Sequence, residues 1–408
     1  MRAINFLIIS AFLSLSTQAQ EIIFDQFTMG AGYENMIYYN VADGVVGEAT
    51  MASWDLSFDV RPMGSSVRIN CGMGHLLYFY GELDQWETAS IEGWELPEPL
   101  RNDQTNWSNG AFNQGSDPTD DFDLGWGIYD FVTHIVSSDK MYVLLLPSGV
   151  YKKIAILSLN SGVYTFKYAN MDGTDEHEVQ ITKNDFSGKL HAFYNIENNE
   201  ILDLEPTSDW DFLATRYVDD LGGEFYYGVT GILTRDDVAS YQVDNLLDPF
   251  TDGEYNSELL SDSLNGIGHD WKTFTMGSGF SLDEDRCYFV YDNAGVAWRI
   301  VFTLFDGSAT GNVELGKVFV QPSDIDVITE SLSFNLYPNP ISNNSHITIS
   351  DAKAGSLMRI VNATGSLVYE DVLNSSKELI EVSHLEPGIY LVECTNGTQS
   401  FVEKLVIQ

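Results

Sequence analysis

Short runs in which apolar and polar side chains alternate, or in which β-branched and aromatic residues predominate, recur along this chain. Residues 140–146, 163–168 and 299–304 are examples, and Gly, Asn, Asp and Pro separate such runs. This period and these boundaries are typical of β-strands. Helical periodicity is found at 236–247 and 255–264, where we expect short helices. The predicted fold class is therefore mainly β.

A pair of short elements occurs twice before residue 322. A Tyr-Tyr-Asn-Val element at 38–41 precedes Trp-Asp-Leu at 54–56, and Phe-Tyr-Asn-Ile at 193–196 precedes Trp-Asp-Phe at 210–212. The spacing is almost the same in both copies. Repetition of this kind indicates an internal duplication of one structural unit.

A second repeated pair supports the duplication. The segment 142–154 contains Tyr-Val followed by a Gly-Val turn, and 288–300 contains Tyr-Phe followed by the same turn. We therefore predict two tandem related β-domains, a polar linker and a small C-terminal β-sandwich. The predicted boundaries are 20–185, 186–322, 323–333 and 334–408.

A long polar stretch, 101–125, interrupts the first copy. It is rich in Asn, Asp, Gly and Ser and carries Trp107 and Phe112. Long loops in compact domains are often functional or mobile. Exposed aromatic side chains in such a loop would stack on sugar rings, so glycan binding is one hypothesis for this segment.

The N-terminus has the features of a secretory signal peptide at residues 1–19. Arg2 supplies a positive charge, and the apolar run 4–15 is too short to span a bilayer stably. Thr17 and Ala19 are the small residues expected before a cleavage site. We expect cleavage between Ala19 and Gln20, export to the periplasm, and no transmembrane segment in the mature chain.

The net charge of the chain disfavours two kinds of binding partner. It carries 60 acidic and 20 basic residues among 408, for a formal net charge of −40. Such a surface repels nucleic acid and anionic membranes. Cys71, Cys287 and Cys394 are odd in number and far apart in sequence, so we expect three buried free thiols rather than a disulfide framework.

The C-terminal residues resemble the type A C-terminal sorting domain of the type IX secretion system of the Bacteroidetes. The motif positions that carry the resemblance are Tyr337, Pro338, Asn339, Pro340, Gly365, Val368, Gly388, Tyr390 and Lys404. The resemblance implies recognition by the type IX machinery and passage across the outer membrane, during which the domain is normally removed. The expected destination is the medium or the outer-membrane surface, where such proteins are often tethered to glycolipid.

The first β-domain resembles the HmuY family of secreted haem-binding β-proteins. The similar segments are 54–58, 68–72, 142–154 and 162–168, and the second copy retains part of them. The resemblance implies an all-β fold and binding rather than catalysis. Haem requires axial ligands, usually His or Met, in an apolar cleft. Among the candidates we select His75, His134 and Met73.

Other chemistries leave weaker signals. Nucleophile-elbow and zinc-protease motifs are missing from the sequence, although a pair of catalytic carboxylates needs no sequence signature. Asp117, Asp120, Asp121 and Asp123 crowd one loop and could bind calcium through oxygen ligands. We therefore predict a non-enzymatic binding protein for haem or another small apolar ligand. The alternatives are an extracellular hydrolase and a glycan-binding or adhesion protein.

Overall fold

The computed structural model describes residues 21–207, 209–223, 225–320, 334–341, 346–350, 352, 355–362, 366–396 and 399–408. The predicted signal peptide with Ala19 and Gln20, the linker 323–333 and Gly365 lie outside the described residues. The chain divides into two units, Met1–Gln321 and Pro322–Gln408. Both are built from β-strands, which confirms the predicted fold class.

The first unit contains 22 strands among the residues described. They are β1 (Ile22–Thr28), β2 (Asn35–Asn40), β3 (Gly44–Thr50), β4 (Leu56–Asp59), β5 (Val67–Ile69), β6 (Leu76–Glu82), β7 (Ile128–Asp130), β8 (Ile135–Ser137), β9 (Lys140–Leu145), β10 (Tyr151–Asn160), β11 (Val163–Asn170), β12 (His177–Thr182), β13 (His191–Asn195), β14 (Glu200–Leu202), β15 (Phe212–Asp220), β16 (Tyr226–Thr234), β17 (Ala239–Val243), β18 (Lys272–Thr275), β19 (Gly279–Leu282), β20 (Cys287–Tyr291), β21 (Ala297–Phe305) and β22 (Asn312–Phe319).

The helices of the described residues are single turns of 3₁₀ type. They are Ala31–Tyr33, Met51–Ser53, Cys71–Met73, Leu83–Gln85, Ala111–Asn113, Lys183–Phe186, Ser257–Leu259 and Gly307–Ala309. The prediction of a helix at 236–247 is therefore wrong, and the range 255–264 contains only the three-residue turn Ser257–Leu259. The first segment contains β17, which pairs along its whole length with β20. Tertiary pairing with a buried strand overrides weak helical periodicity there.

Four of the sheets form two β-sandwiches, which we call the first and second modules. In the first module the sheet β14-β13-β4-β5 faces a sheet that runs β12-β11-β10 and continues through β9 to β6. In the second module the sheet β16-β15-β2-β3 faces β1-β22-β21-β20-β17. Each module encloses its own hydrophobic core, centred on Phe58 and Phe166 in the first and on Tyr39 and Phe302 in the second.

A third core joins the two modules. Successive side chains of a strand point to opposite faces. In β2, Ile37 and Tyr39 enter the core of the second module, whereas Met36 and Tyr38 enter the shared core. The strand β13 alternates in the same way in the first module, with Phe193 in the shared core. Both faces of the two central sheets are therefore buried, and their strands have almost continuous apolar runs.

The duplicated elements pair crosswise. The Tyr-Tyr-Asn strand β2 pairs with β15, which follows the Trp-Asp element of the other copy, and β13 pairs with β4 in the same manner. The Asp211 amide donates to the Tyr39 carbonyl at 2.8 Å, and the Asp55 amide donates to the Tyr194 carbonyl at 2.9 Å. Each copy thus supplies strands to both modules.

The two aspartate carboxylates make this exchange specific. Asp211 Oδ2 accepts the amide of Val41, and Asp55 Oδ2 accepts the amide of Ile196, both at 2.6 Å. The neighbouring tryptophans repeat the pattern, because Trp210 packs edge-on against Tyr38 and Trp54 packs edge-on against Phe193. The matched contacts relate the two copies by the same set of bonds.

Strand pairing crosses the predicted domain boundary between residues 185 and 186. The first strand, β1, pairs with the last, β22, along its seven residues, from Ile22 opposite Val318 to Thr28 opposite Asn312. The crosswise pairs β2/β15 and β4/β13 also join the two predicted ranges. The division into 20–185 and 186–322 stays a prediction about the repeat in sequence, whereas the modules combine strands from both ranges.

The second unit is a smaller two-sheet structure with a core of its own around Ile349, Met358 and Val392. One sheet has the order β23-β24-β27 and the other β26-β25-β28-β29. The strands are β23 (Asn335–Tyr337), β24 (His346–Ser350), β25 (Leu357–Asn362), β26 (Leu367–Val372), β27 (Lys377–Glu381), β28 (Gly388–Asn396) and β29 (Gln399–Ile407).

Loss of the Asp211 carboxylate, which binds the strand of the other copy, is expected to destabilise the first unit. Asp211→Ala leaves the buried amides of Val41 and Asn293 without their acceptor, which should lower the free energy of unfolding by about 3 kcal/mol. Chemical denaturation measures this change. The exposed Asp262 is the matched control, since Asp262→Ala should change stability by less than about 0.5 kcal/mol. Equal effects of the two substitutions would contradict the proposed role of Asp211.

Candidate functional site

Two of the predicted haem ligands line one cavity. Met73 and His75 border a space of about 440 Å³ at one end of the first module, with Asp55, Pro147 and Lys152 among the other lining residues. Both ring nitrogens of His75 have partners. Nδ1 lies 2.9 Å from the Asn70 carbonyl oxygen and Nε2 lies 2.7 Å from Asp55 Oδ1. In this geometry neither nitrogen is directed at an iron ligand position.

The third predicted ligand, His134, lies elsewhere. It follows β7 in an exposed turn with a left-handed backbone (φ 59°), and its Nδ1 is 2.7 Å from the Tyr129 hydroxyl. It does not line the cavity that contains His75. The structure therefore does not assemble His75 and His134 as an axial pair, and the selection of these residues stays a prediction that the geometry does not support.

The contact between His75 and Asp55 has a different counterpart in the second module. There, the amide of Asn293 donates to Asp211 Oδ1 at 3.1 Å, which draws the β20–β21 turn onto the Trp-Asp element. The equivalent position in the first module is Pro147, which has no N–H. Asp55 Oδ1 instead contacts His75, and the cavity remains open between the turn and Asp55.

The acidic loop predicted to bind calcium is organised by its own hydrogen bonds. Asp117 Oδ1 accepts from the amide and hydroxyl of Thr119, Asp120 Oδ1 accepts from the Phe122 amide, and Asp123 accepts from the amides of Asp117 and Gly125. Across the described part of the chain, no three His, Cys, Asp or Glu side chains form a group that could hold a metal ion. The calcium site at Asp117, Asp120, Asp121 and Asp123 stays a prediction without geometric support.

The aromatic residues of the stretch 101–125 are buried, contrary to the sugar-stacking hypothesis. Trp107 is 7% exposed and Phe112 is fully buried. The indole nitrogen of Trp107 donates to the Thr234 carbonyl at 2.9 Å, so the first module is fastened to the second through this segment. Loop composition gave no sign of this contact, because the partner lies far along the chain.

An exposed aromatic groove lies on the second module. It has a volume of about 650 Å³ and runs between β16 and the β18–β19 hairpin. Four aromatic rings border it, from Tyr33, Tyr227, Phe274 and Phe280. Tyr227 and Phe274 are 57% and 61% exposed, which is unusual for side chains of this size and leaves their ring faces available to a ligand.

The histidine, aspartate and lysine side chains that border the groove belong to residues 269–272, at the start of β18. The Nδ1 atom of His269 lies 3.3 Å from Asp219 Oδ2. Lys272 is buried in the floor, where its ammonium donates to the carbonyls of Thr230 and His269 and lies over the rings of Trp271 and Phe305. The groove therefore combines aromatic walls with a cation, a carboxylate-paired histidine and Asp270.

Sequence reasoning missed the groove, although a signal for it exists. Residues 272–282 form a hairpin around a Gly-Ser-Gly turn, and Phe274 and Phe280 occupy directly opposed positions in it. Opposed aromatic residues on a short two-stranded ribbon indicate one face with large apolar area. Which side of the ribbon faces solvent depends on its packing against Phe305, which the sequence does not show.

The most strongly shifted carboxyl groups lie in the interior. Desolvation raises the pKa of Glu205 to about 7, although the carboxylate accepts from the amides of Leu190 and His191 and from the Trp210 indole. Desolvation likewise raises the pKa of Asp211 to about 6. Because these groups bind main-chain amides that hold the modules together, their shifts have a structural origin and give no support to the hydrolase alternative.

The residues of the predicted sorting motif meet at the last strand of the second unit. The Asn339 side chain accepts from the Val406 amide and donates to the Lys404 carbonyl. The adjacent Ile341 amide donates to the Val406 carbonyl at 2.8 Å. The Tyr337-Pro338-Asn339-Pro340 opening is therefore fastened to β29.

The remaining motif residues shape the same unit. Tyr390 is buried, and its hydroxyl donates to the Glu386 carbonyl at 2.8 Å across the turn that contains Gly388. Val368 packs on the core from β26, and Lys404 is exposed. The motif thus combines residues that hold the fold, such as Tyr390 and Val368, with exposed residues, namely Tyr337, Pro338, Asn339, Pro340 and Lys404.

The second unit matches a known protein family. Residues 335–408 match the family described as the secretion system C-terminal sorting domain. The second unit is thus a sorting domain of the type IX secretion system, and the protein is exported by that system to the cell surface or the medium. A search of the curated proteins gives no significant match to the chain.

Two solved structures are similar over most of the chain at low identity. One is PorZ, a surface component of the type IX secretion system of Porphyromonas gingivalis, with 13% identity, 72% of this chain covered and a TM-score of 0.19. This chain spans 41% of the length of PorZ. The other is apo PinO from Porphyromonas gingivitis, with 9% identity, 75% of this chain and 100% of PinO covered, and a TM-score of 0.21.

Among the residues that the structure describes, none of the helices has the length and apolar character needed to cross a bilayer.

The buried lysine of the groove predicts a pH dependence of stability. Burial lowers the pKa of Lys272 from 10.5 to about 7. Between these values the unfolded chain binds more protons than the folded chain, so the free energy of unfolding should rise with pH, by about 5 kcal/mol across the full range. Lys272→Met removes the titrating group. Denaturation at several pH values should show a smaller rise in this variant, and parallel pH profiles for the two proteins would contradict the assignment.

The bonds of Asn339 predict a sorting defect. Asn339→Ala removes two hydrogen bonds to β29 and should destabilise the sorting domain by about 1–2 kcal/mol. We expect a smaller secreted fraction, measured by comparing the culture medium and cell surface with the periplasm. Ser383→Ala, at an exposed turn, is the control and should leave export unchanged. Normal export of the Asn339 variant would argue that the motif opening is not needed for recognition.

Proposed function

We propose that this protein is a non-enzymatic binding protein of the cell surface or medium, and that the aromatic groove of the second module holds a small, flat, largely apolar ligand. The observation that carries the proposal is the group of four rings around one open space of about 650 Å³. A volume of this size suits a small molecule rather than a single ion.

The rings offer a prepared apolar surface. Phe280 packs edge-on against Phe305 at 4.8 Å, and Tyr33 stacks on the same ring at 6.0 Å. Phe305 belongs to the core of the second module, so these two walls are supported from beneath. A ligand that stacks in the groove would bury ring area that is otherwise exposed, and rigid aromatic walls lose little side-chain entropy on binding.

Polar groups at the base would orient the ligand. Lys272 supplies a buried amine that is charged only below its pKa of about 7. His269 lies beside Asp219, as histidines that bind metals commonly lie beside a carboxylate. His269 is the histidine that borders the groove. The residues therefore fit a haem with a single protein axial ligand better than one held by a histidine pair. The resemblance to haem-binding β-proteins makes hemin the first ligand to test.

A direct titration tests the proposal with two probes. Purified protein is titrated with hemin, followed by the Soret band, and with the neutral dye Nile red, followed by fluorescence. Phe274→Ala should weaken both affinities at least about tenfold, because it removes an exposed ring from the binding face. Phe131→Ala, which removes a similarly exposed ring from the first module, should leave both unchanged.

Histidine variants separate haem from other apolar ligands. His269→Ala should alter the Soret band of the hemin complex without changing Nile red binding, whereas His134→Ala should alter neither. If Nile red binds in a manner that depends on Phe274 and hemin does not bind, the proposal of an apolar ligand stands and the proposal of haem is rejected. If neither probe binds, or if both bind the Phe274 variant as tightly as the wild type, the groove is not the ligand site.

A further inference from the structure

A small cavity lies at the junction of the two modules. It has a volume of about 50 Å³. Trp54, Asn70 and Gln104 line it from the first module, and Thr215 and Arg216 line it from β15 of the second. It is separate from the aromatic groove and from the cavity beside His75.

The cavity exists because the two backbones touch beside it. A Cβ atom on Gly72 would lie 2.1 Å from the Arg216 carbonyl oxygen. Only glycine permits this approach of the Cys71–Met73 turn to β15. The larger side chains around the contact cannot close the remaining space, which is left between Trp54, Asn70 and Gln104.

Four lining residues carry polar atoms that are shielded from solvent and have no hydrogen-bond partner among the described residues. One is the Tyr217 hydroxyl, which lies 4.0 Å from the Cβ position of Gly268, a residue that does not border the cavity. The other three atoms are Trp54 Nε1, Asn70 Oδ1 and Gln104 Oε1. The hydrogen bonds of the amide nitrogens fix the orientation of the Asn70 and Gln104 side chains. Asn70 Nδ2 donates to the carbonyls of Met51 and Trp54, and Gln104 Nε2 donates to the carbonyl of Asn102. The oxygens are therefore the atoms left to be satisfied.

We propose that this cavity is a structural water site at the junction of the modules. Buried polar atoms without partners destabilise a fold, and native proteins satisfy them with ordered water where there is room. A water molecule accepts from the Trp54 indole and donates to the oxygens of Asn70 and Gln104, which matches the one donor and two acceptors present. The volume of about 50 Å³ holds about three to five waters, at roughly 10–15 Å³ each.

The proposed water adds polar contacts at the junction of the modules. The shared core brings apolar faces together, whereas the water joins polar atoms of the Trp-Asp element, the Cys71–Met73 turn and the 101–125 segment at one point. The segment 101–125 is also fastened to the second module by Trp107. Water is thus a component of the interface rather than a solvent molecule on its surface.

A crystal structure of the protein at about 1.5 Å resolution tests the proposal directly. We expect an ordered water within hydrogen-bond distance, about 2.7–3.2 Å, of at least two of the three atoms. An empty cavity would overturn the proposal. Density for a larger solute in contact with the three atoms would also overturn it.

A solution measurement provides an independent test. Magnetic relaxation dispersion of water counts long-lived internal waters in the full chain. Gln104→Met keeps the approximate length of the side chain and removes its oxygen, so the count should fall by at least one. Gln114→Met is the matched control, because this partly buried glutamine borders a neighbouring cavity that Gln104 also lines but does not border the junction cavity. It should leave the count unchanged, which would assign a loss in the Gln104 variant to the junction. An unchanged count in a folded Gln104 variant would exclude the site.

Discussion

The crosswise bonds of Asp55 and Asp211 are the interaction on which the first unit depends. Each carboxylate accepts a main-chain amide from the strand that belongs to the other copy of the repeat, at 2.6 Å in both cases. A buried carboxylate without such donors would be costly, so the bonds select the exchanged pairing over pairing within one copy. The shared core, the closure of β1 on β22 and the positions of both cavities follow from this pairing.

The two copies differ in the residue that contacts Oδ1 of each aspartate. Asn293 donates its amide to Asp211 and closes the second module, whereas Pro147 has no amide hydrogen and His75 takes its place beside Asp55. One residue type thus accounts for an open cavity in one module and a closed turn in the other. The second module compensates with a different opening, the aromatic groove, formed where the β18–β19 hairpin projects from the sandwich.

Export and binding are assigned to different parts of the chain. The sorting domain is recognised from residues that hold its own fold, such as Asn339 and Tyr390, together with the exposed Lys404. The proposed ligand groove is built entirely from residues of the first unit. Removal of the sorting domain after transport would therefore leave the groove complete, as a protein that works outside the cell requires.

The sequence by itself determined the mainly β fold class and the sorting domain, because alternation and turn residues are local signals. The repeated Trp-Asp elements predict the duplication in the same way. Tertiary structure decided which histidines are engaged, as His75 shows, and that Trp107 is a buried fastener rather than an exposed platform. It also decided that residues 236–247 contain a strand. Each of these outcomes depends on a partner distant in sequence, and a hydrogen bond or packing contact to such a partner leaves no mark on the local pattern. The groove around Phe274 and Lys272 belongs to the same class, since its walls and floor meet only after the sheets have packed.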